Sequence, residues 1–238
     1  MIQSKRFADT QQAAEGCAAH ILGLLGQAIS AGSDATLAIS GGTSPKLMFE
    51  VFAKTKFDWD RVQLFWVDER GVPPTDSQSN FKLTDDNWLT PGKFPKANIH
   101  RVQAELPPEE AARLYREDIV RYFKLKPGEL PRFDVIHRGM GPDCHTASLF
   151  PGEPMIDNMT DIIGHVWVEK FKQWRITMLP GVIRAAKNTV MLVTGKDKTQ
   201  PLKEILSSPI DLKKYPVQMT HDTPNVTWIL AADAGALV

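Results

Sequence analysis

Cysteine is nearly missing from this 238-residue chain: Cys17 and Cys144 are the only two. Two thiols do not make a disulfide framework, which excludes the small stapled folds of secreted proteins and fits a reducing compartment. Cys17 lies in an alanine-rich helical pattern and reads as a small buried hydrophobe. An excess of either charge is missing too. Lys plus Arg and Asp plus Glu each total 28, so no global field draws the chain to nucleic acid or an anionic membrane. Any anionic ligand must be held by a local site. No run approaches the roughly 18 apolar residues of a membrane span. The opening stretch MIQSKRFADTQQAAEG lacks the apolar centre of a secretion signal, so the cytoplasm is the expected location.

What is present is an ordinary globular composition, 42% apolar and 24% charged, over a length that buries a large core. A long helix is expected from Asp9 to about Ala31, capped by Asp9 or Thr10 and ended by Gly32. ATLAIS (35–40) reads as a buried strand, and SPKLMFEVFAKT as a second helix with Pro45 in its first turn. VQLFWV (62–67), NIHRVQ, FDVIH (133–137), HVWVE, RITML and TVMLVT read as strands. SNFKLTDDNWL, PPEEAARLYREDIVRYFK and PLKEIL read as helices, and VTWILAADAGAL as a strand turning into a helix. Strands alternating with helices predict a mostly parallel, Rossmann-like α/β sheet with helices on both faces. One domain over residues 1–238 is expected, with an excursion near 71–130.

In such a sheet, ligands bind beyond the carboxyl ends of the strands. Four polar clusters follow predicted strands directly and should converge: SGGTSP (40–45), DER (68–70), GMGPDCH (139–145) and TGKDK (194–198). Gly41 and Gly42 permit a sharp turn, and Thr43 and Ser44 put hydroxyls beside free helix N–H groups, the chemistry of a phosphate cradle or of an ordinary N-cap. Lys196, Lys198 and Arg175 could grip phosphate or lie solvated on the surface. Asp68, Glu69 and Arg70 could orient a water or hold an anion, or form a charged loop edge. His145 is placed in the first turn of a short helix, HTASLF, with Asp143 two residues before it. An imidazole there can serve as a general base with Asp143 fixing its tautomer, or the pair can cap a turn. No second His or Cys stands nearby at zinc spacing, so no metal site and no cofactor are expected.

Taken in order, SGGTSP, FWVDERGVPPTDSQSNF, FDVI with GMGPD and HTASLFPG, RITMLP and VTGKDK resemble the 6-phosphogluconolactonases from about residue 35 onward. The resemblance implies a Rossmann-like fold related to the glucosamine-6-phosphate deaminases. It also implies metal-independent hydrolysis of 6-phosphogluconolactone in the pentose phosphate pathway. His145 would then be the base that activates water, Asp143 its support, and Asp68 and Arg70 part of the same cavity. Gly41, Gly42, Thr43 and Ser44, with Arg175 and Lys198, would hold the phosphate. The partner is a small sugar-phosphate lactone, with no nucleic acid and no membrane; monomer and dimer stay open.

Four positions depart from the family pattern. Cys144 stands where glycine is usual, His137 and Arg138 where apolar residues are usual, and Pro201 where a helix usually continues, so that helix is expected to start at Pro201. Competing readings are a deaminase or isomerase of the same fold, a non-catalytic sugar-phosphate sensor, and a lactonase disabled by Cys144. The deaminase pattern has a Glu soon after the motif histidine, whereas here Glu153 comes only after the turn. A sensor needs an output module, and no spare segment supplies one.

Overall fold

The computed structural model describes residues 3–235. Helix α1 (Thr10–Ser30) starts where the Asp9 carboxylate accepts the Gln12 N–H at 2.8 Å. It packs against strands β1 (Gln3–Phe7), β2 (Ala35–Ile39), β9 (Thr189–Val193) and β10 (Val226–Ala231), and against α2 (Thr43–Lys54). Between β2 and β9 the chain forms β3 (Val62–Trp66), β4 (Asp68–Arg70), α3 (Asn80–Thr84), β5 (Ile99–His100), α4 (Pro108–Phe123) and β6 (Val135–Arg138). It continues through β7 (Ile163–Val168), β8 (Gln173–Met178) and α5 (Pro180–Ala185). After β9 comes α6 (Thr199–Ser207).

Seven strands make one parallel sheet in the order β1-β10-β9-β6-β2-β3-β5. Both of its faces are covered, as the side-chain alternation of β9 shows. Val190 and Leu192 join the large core, whereas Met191 and Val193 join a second core with Leu202, Ile205 and Trp228. The carboxyl ends of the adjacent strands β9, β6, β2 and β3 share one edge, and all four polar clusters start there. No helix among the described residues is long and apolar enough to cross a membrane.

Several expectations need correction. β7 and β8 do not enter the parallel sheet: with β4 they form a separate antiparallel sheet in the order β4-β8-β7. The turn joining β7 to β8, with Lys172 left-handed (φ 49°), is too short for a crossover, so antiparallel pairing is the available outcome. The DER tripeptide is therefore a strand, not a loop edge. β1 escapes a pattern search because four of its five QSKRF side chains are exposed; backbone pairing to β10 and the packing of Phe7 on the core hold it. The 71–130 stretch returns to the main sheet through β5, which pairs with β3. The chain after β10 forms a turn through Gly235 rather than a helix, and 236–238 lie outside the described residues. Helix α6 begins at Thr199, not at Pro201, leaving the proline in the first turn where its missing N–H is harmless.

Candidate active site

Helix α2 begins immediately past β2. Gly42 precedes it with φ 126°, a conformation that L side chains rarely adopt, and no side chain caps the helix. The Thr43 and Ser44 amides belong to a first turn that has no intrahelical acceptors, and Pro45 follows them. The Ser44 hydroxyl bonds to that of Thr194, which ties the start of α2 to the end of β9. Lys198 lies just beyond, ion-paired with Asp197.

The loop after β6 carries His145. HTASLF is not helical: Cys144 (φ 63°) and Ala147 (φ 53°) are both left-handed, and Thr146 and Leu149 form an isolated bridge. Two left-handed residues three apart cannot sit in one α-helix. His145 Nδ1 lies 2.5 Å from Asp143 Oδ1, and the ring stacks on Phe150 with centroids 4.2 Å apart. Burial by itself would raise the Asp143 carboxyl; the hydrogen bond and charge of His145, and then Lys170 at 3.2 Å, outweigh it and hold the group well below the ordinary carboxylate range. An ionised carboxylate only accepts, so Nδ1 carries a proton, and in the neutral form of the ring Nε2 is left with a lone pair. Gly141 makes the pairing possible, because a Cβ there would lie 2.0 Å from His145 Nδ1.

The second sheet forms the facing wall. Arg70 on β4 and Arg175 on β8 are register partners, and the Nε of each is buried without an acceptor. Burial, and then the neighbouring Arg70, draw Arg175 down to about 10. Two adjacent guanidinium groups with unfilled donors make a strong local demand for an anion. Asp68 accepts from the Ser148 hydroxyl at 2.7 Å, and Arg70 donates to the Gln78 carbonyl. Glu69 turns away from the cavity. Its carboxylate takes the amides of Arg70, Asn80 and Phe81 and the Ser79 hydroxyl, locking the 71–80 loop to the start of α3. Its oxygens are thus taken up by the protein's own donors, and it does not line the cavity.

These walls enclose one cavity of about 910 Å³, lined by Gly41, Gly42, Thr43, Ser44, Asp68, Arg70, His145, Arg175 and Lys198. All four strand-end clusters thus contribute. Asp143 does not line the cavity and acts from behind His145; Lys196 lies off it. Phe171 and Lys170, at the tip of the β7–β8 hairpin, escaped the sequence reading. Phe171 lines the cavity with the Arg175 guanidinium 5.4 Å from its ring centre. Thr194, within TGKDK, and Ser148, within HTASLF, carry no role in the sequence reading, since only contact with distant residues marks one. Cys144 does not line the cavity; its side chain joins Met140, Tyr215 and Val217 in the second core, and burial pushes the thiol up to about 11. Glu153 is also off the cavity and caps the short turn Pro154–Asp157. Among the described residues no three His, Cys, Asp or Glu side chains are grouped to hold a metal ion.

Residues 8–228 match the family model described as glucosamine-6-phosphate isomerases/6-phosphogluconolactonase. A 6-phosphogluconolactonase of Synechocystis is 34% identical over 212 residues, covering 88% of this chain and 87% of the relative. One from Nostoc is 35% identical over 217 residues, covering 91% and 90%. A solved 6-phosphogluconolactonase structure from Thermotoga maritima superposes with a TM-score of 0.84 at 25% identity, covering 97% of this chain and all of the other. The fold, the cavity and these likenesses agree: the chain belongs to the family of glucosamine-6-phosphate isomerases and 6-phosphogluconolactonases.

Proposed function

We propose that this protein hydrolyses 6-phosphoglucono-1,5-lactone to 6-phosphogluconate, the reaction for which its relatives are named, in the cytoplasmic pentose phosphate pathway. One observation carries the reading: His145, paired behind with Asp143, opens on the same cavity as the start of α2, Lys198 and the Arg70–Arg175 pair. A base and an anion clamp in one cavity suit a phosphorylated ester.

In this reading the phosphate takes the Thr43 and Ser44 amides, Lys198 and Arg175, with Gly41 and Gly42 allowing close approach. The lactone carbonyl then lies by His145. Nε2 removes a proton from water as its oxygen bonds to the carbonyl carbon, and Asp143 balances the imidazolium charge. The negative charge on the former carbonyl oxygen faces the cationic wall that includes Arg70. Collapse breaks the bond from carbon to ring oxygen, and His145 returns its proton to that oxygen, giving the open hydroxy acid. Asp68, held by Ser148, keeps a fixed acceptor in the cavity for a sugar hydroxyl. Base help of this kind contributes about 10²–10⁴-fold.

Glu153, off the cavity, disfavours the deaminase alternative. The test is hydrolysis of freshly prepared lactone, with spontaneous loss subtracted, in wild type and His145→Ala. A loss of about 10²-fold or more is expected, together with no ammonia release from glucosamine-6-phosphate. Equal rates in both proteins would refute the reading.

A further inference from the structure

Arg138 ends β6 directly beneath the His145 loop and is completely buried. Its guanidinium meets two hydroxyls and no carboxylate among the described residues: Nη1 donates to Thr146 Oγ1 at 2.9 Å and Nη2 to Thr220 Oγ1 at 2.7 Å. Nε is buried with no acceptor. The neighbouring charge and burial fall on two histidines. His137, completely buried, is driven down to about 3 by burial and then by Arg138; His221 is lowered by the same causes in the same order, with Asp222 opposing. An unpaired buried cation is among the most costly features a fold can carry. Packing alone gives no reason to retain it.

The loop it touches supplies one. His145 and Thr146 sit between the left-handed residues Cys144 and Ala147. Strain of this kind persists only where the surroundings over-determine the backbone. The Val217 N–H holds the Cys144 carbonyl at 3.1 Å and the Gly141 N–H the His145 carbonyl at 2.9 Å; a further point of restraint, and the one that reaches Arg138, is Thr146. Its single hydroxyl proton goes to the Gly139 carbonyl at 2.9 Å, so the oxygen must accept from Arg138. The other end of the guanidinium is fastened to Thr220, in the segment Pro216–Thr220 before β10. Arg138 thus clamps the loop to the body of the fold, one residue from His145.

We propose that Arg138 is a positioning residue for the reaction, holding His145 in place through Thr146 rather than serving stability or touching substrate. The inference rests on the reading of His145 as the base.

The test is Arg138→Met, which keeps an unbranched apolar stem and removes the charge and both bonded donors. A drop in kcat of about tenfold or more is expected, since displacing a catalytic group by about 1 Å costs up to 10²-fold. KM should stay within about twofold, because the phosphate-holding groups are untouched. The thermal midpoint should hold or rise as the unpaired charge disappears. Thr146→Val should lower kcat similarly, and the double variant should lose no more than the worse single one. Should Arg138→Met fail to fold, Arg138→Lys serves: its single ammonium cannot reach both hydroxyls, so the same kcat loss is expected. Full kcat in any folded Arg138 variant, additive losses in the double variant, or a kcat loss that merely follows a fall in midpoint would overturn the proposal. If His145→Ala itself leaves the rate unchanged, the reading of function fails first, and the two failures are distinguishable.

Discussion

Replacing Gly141 by alanine perturbs the His145–Asp143 pair while leaving every other cavity group in place. The new Cβ would stand 2.0 Å from His145 Nδ1, 2.1 Å from its Cε1 and 2.8 Å from Asp143 Oδ1. Ordinary contact begins near 3.4 Å, so the imidazole must retreat by 3.4 − 2.0, or about 1.4 Å. Gly141 is not in the left-handed region, so alanine brings no left-handed strain. The obstructing atoms are the far end of a side chain that is a quarter exposed, so the fold can yield with little loss of stability. The Nδ1 to Oδ1 bond of 2.5 Å cannot survive that displacement. A misplacement of about 1 Å at a reacting group costs up to about 10²-fold in rate. The expected outcome is a kcat lower by about 30- to 100-fold and a thermal midpoint within a few degrees of wild type, from initial rates on fresh lactone and a melting curve. A Gly141→Ala protein with kcat within about threefold of wild type would falsify the view that this contact organises catalysis.

Asp143→Asn removes the carboxylate that sets the His145 tautomer, and kcat is expected to fall by about 10²-fold or more. The same variant bears on acid stability. The folded Asp143 carboxyl is depressed, so its contribution is complete above the ordinary carboxylate pKa of about 3.9 and is lost as pH falls below that. Acid unfolding followed by circular dichroism should therefore show a smaller stability difference between the two proteins at pH 3 than at pH 6. Cys144→Gly relieves about 1 kcal/mol of left-handed strain but gives up a buried side chain worth about 1.5 kcal/mol and adds about 0.5 kcal/mol of glycine entropy. A net loss of about 1 kcal/mol in denaturant unfolding is expected, with kcat within about threefold of wild type. A large kcat gain would instead mean that Cys144 holds the site back.

Much of the fold and part of the site were legible because the signals are local. The buried runs ATLAI, VQLFW and TVMLV, each between turn residues, read as strands without any knowledge of their neighbours. Gly42, Thr43, Ser44 and Pro45 read as a turn entering a helix because backbone freedom, hydroxyl and ring belong to the residues themselves. The meeting of the four clusters also followed, since parallel strands must end on one edge. HTASLF misled because nothing in its composition reports that Cys144 and Ala147 are left-handed.

By itself, then, the chain determined most of its strands and helices, the parallel sheet and the edge at which polar residues gather, all consequences of periodicity and local backbone preference. Only the tertiary structure decided that DER pairs with RITM as a second sheet and brings Arg70 beside Arg175. Only it turned Glu69 away from the cavity, set Phe171 in the cavity wall and Lys170 on Asp143, and buried Arg138 between two threonines. Each of these depends on contacts between residues far apart in the chain, whose energies no local pattern records.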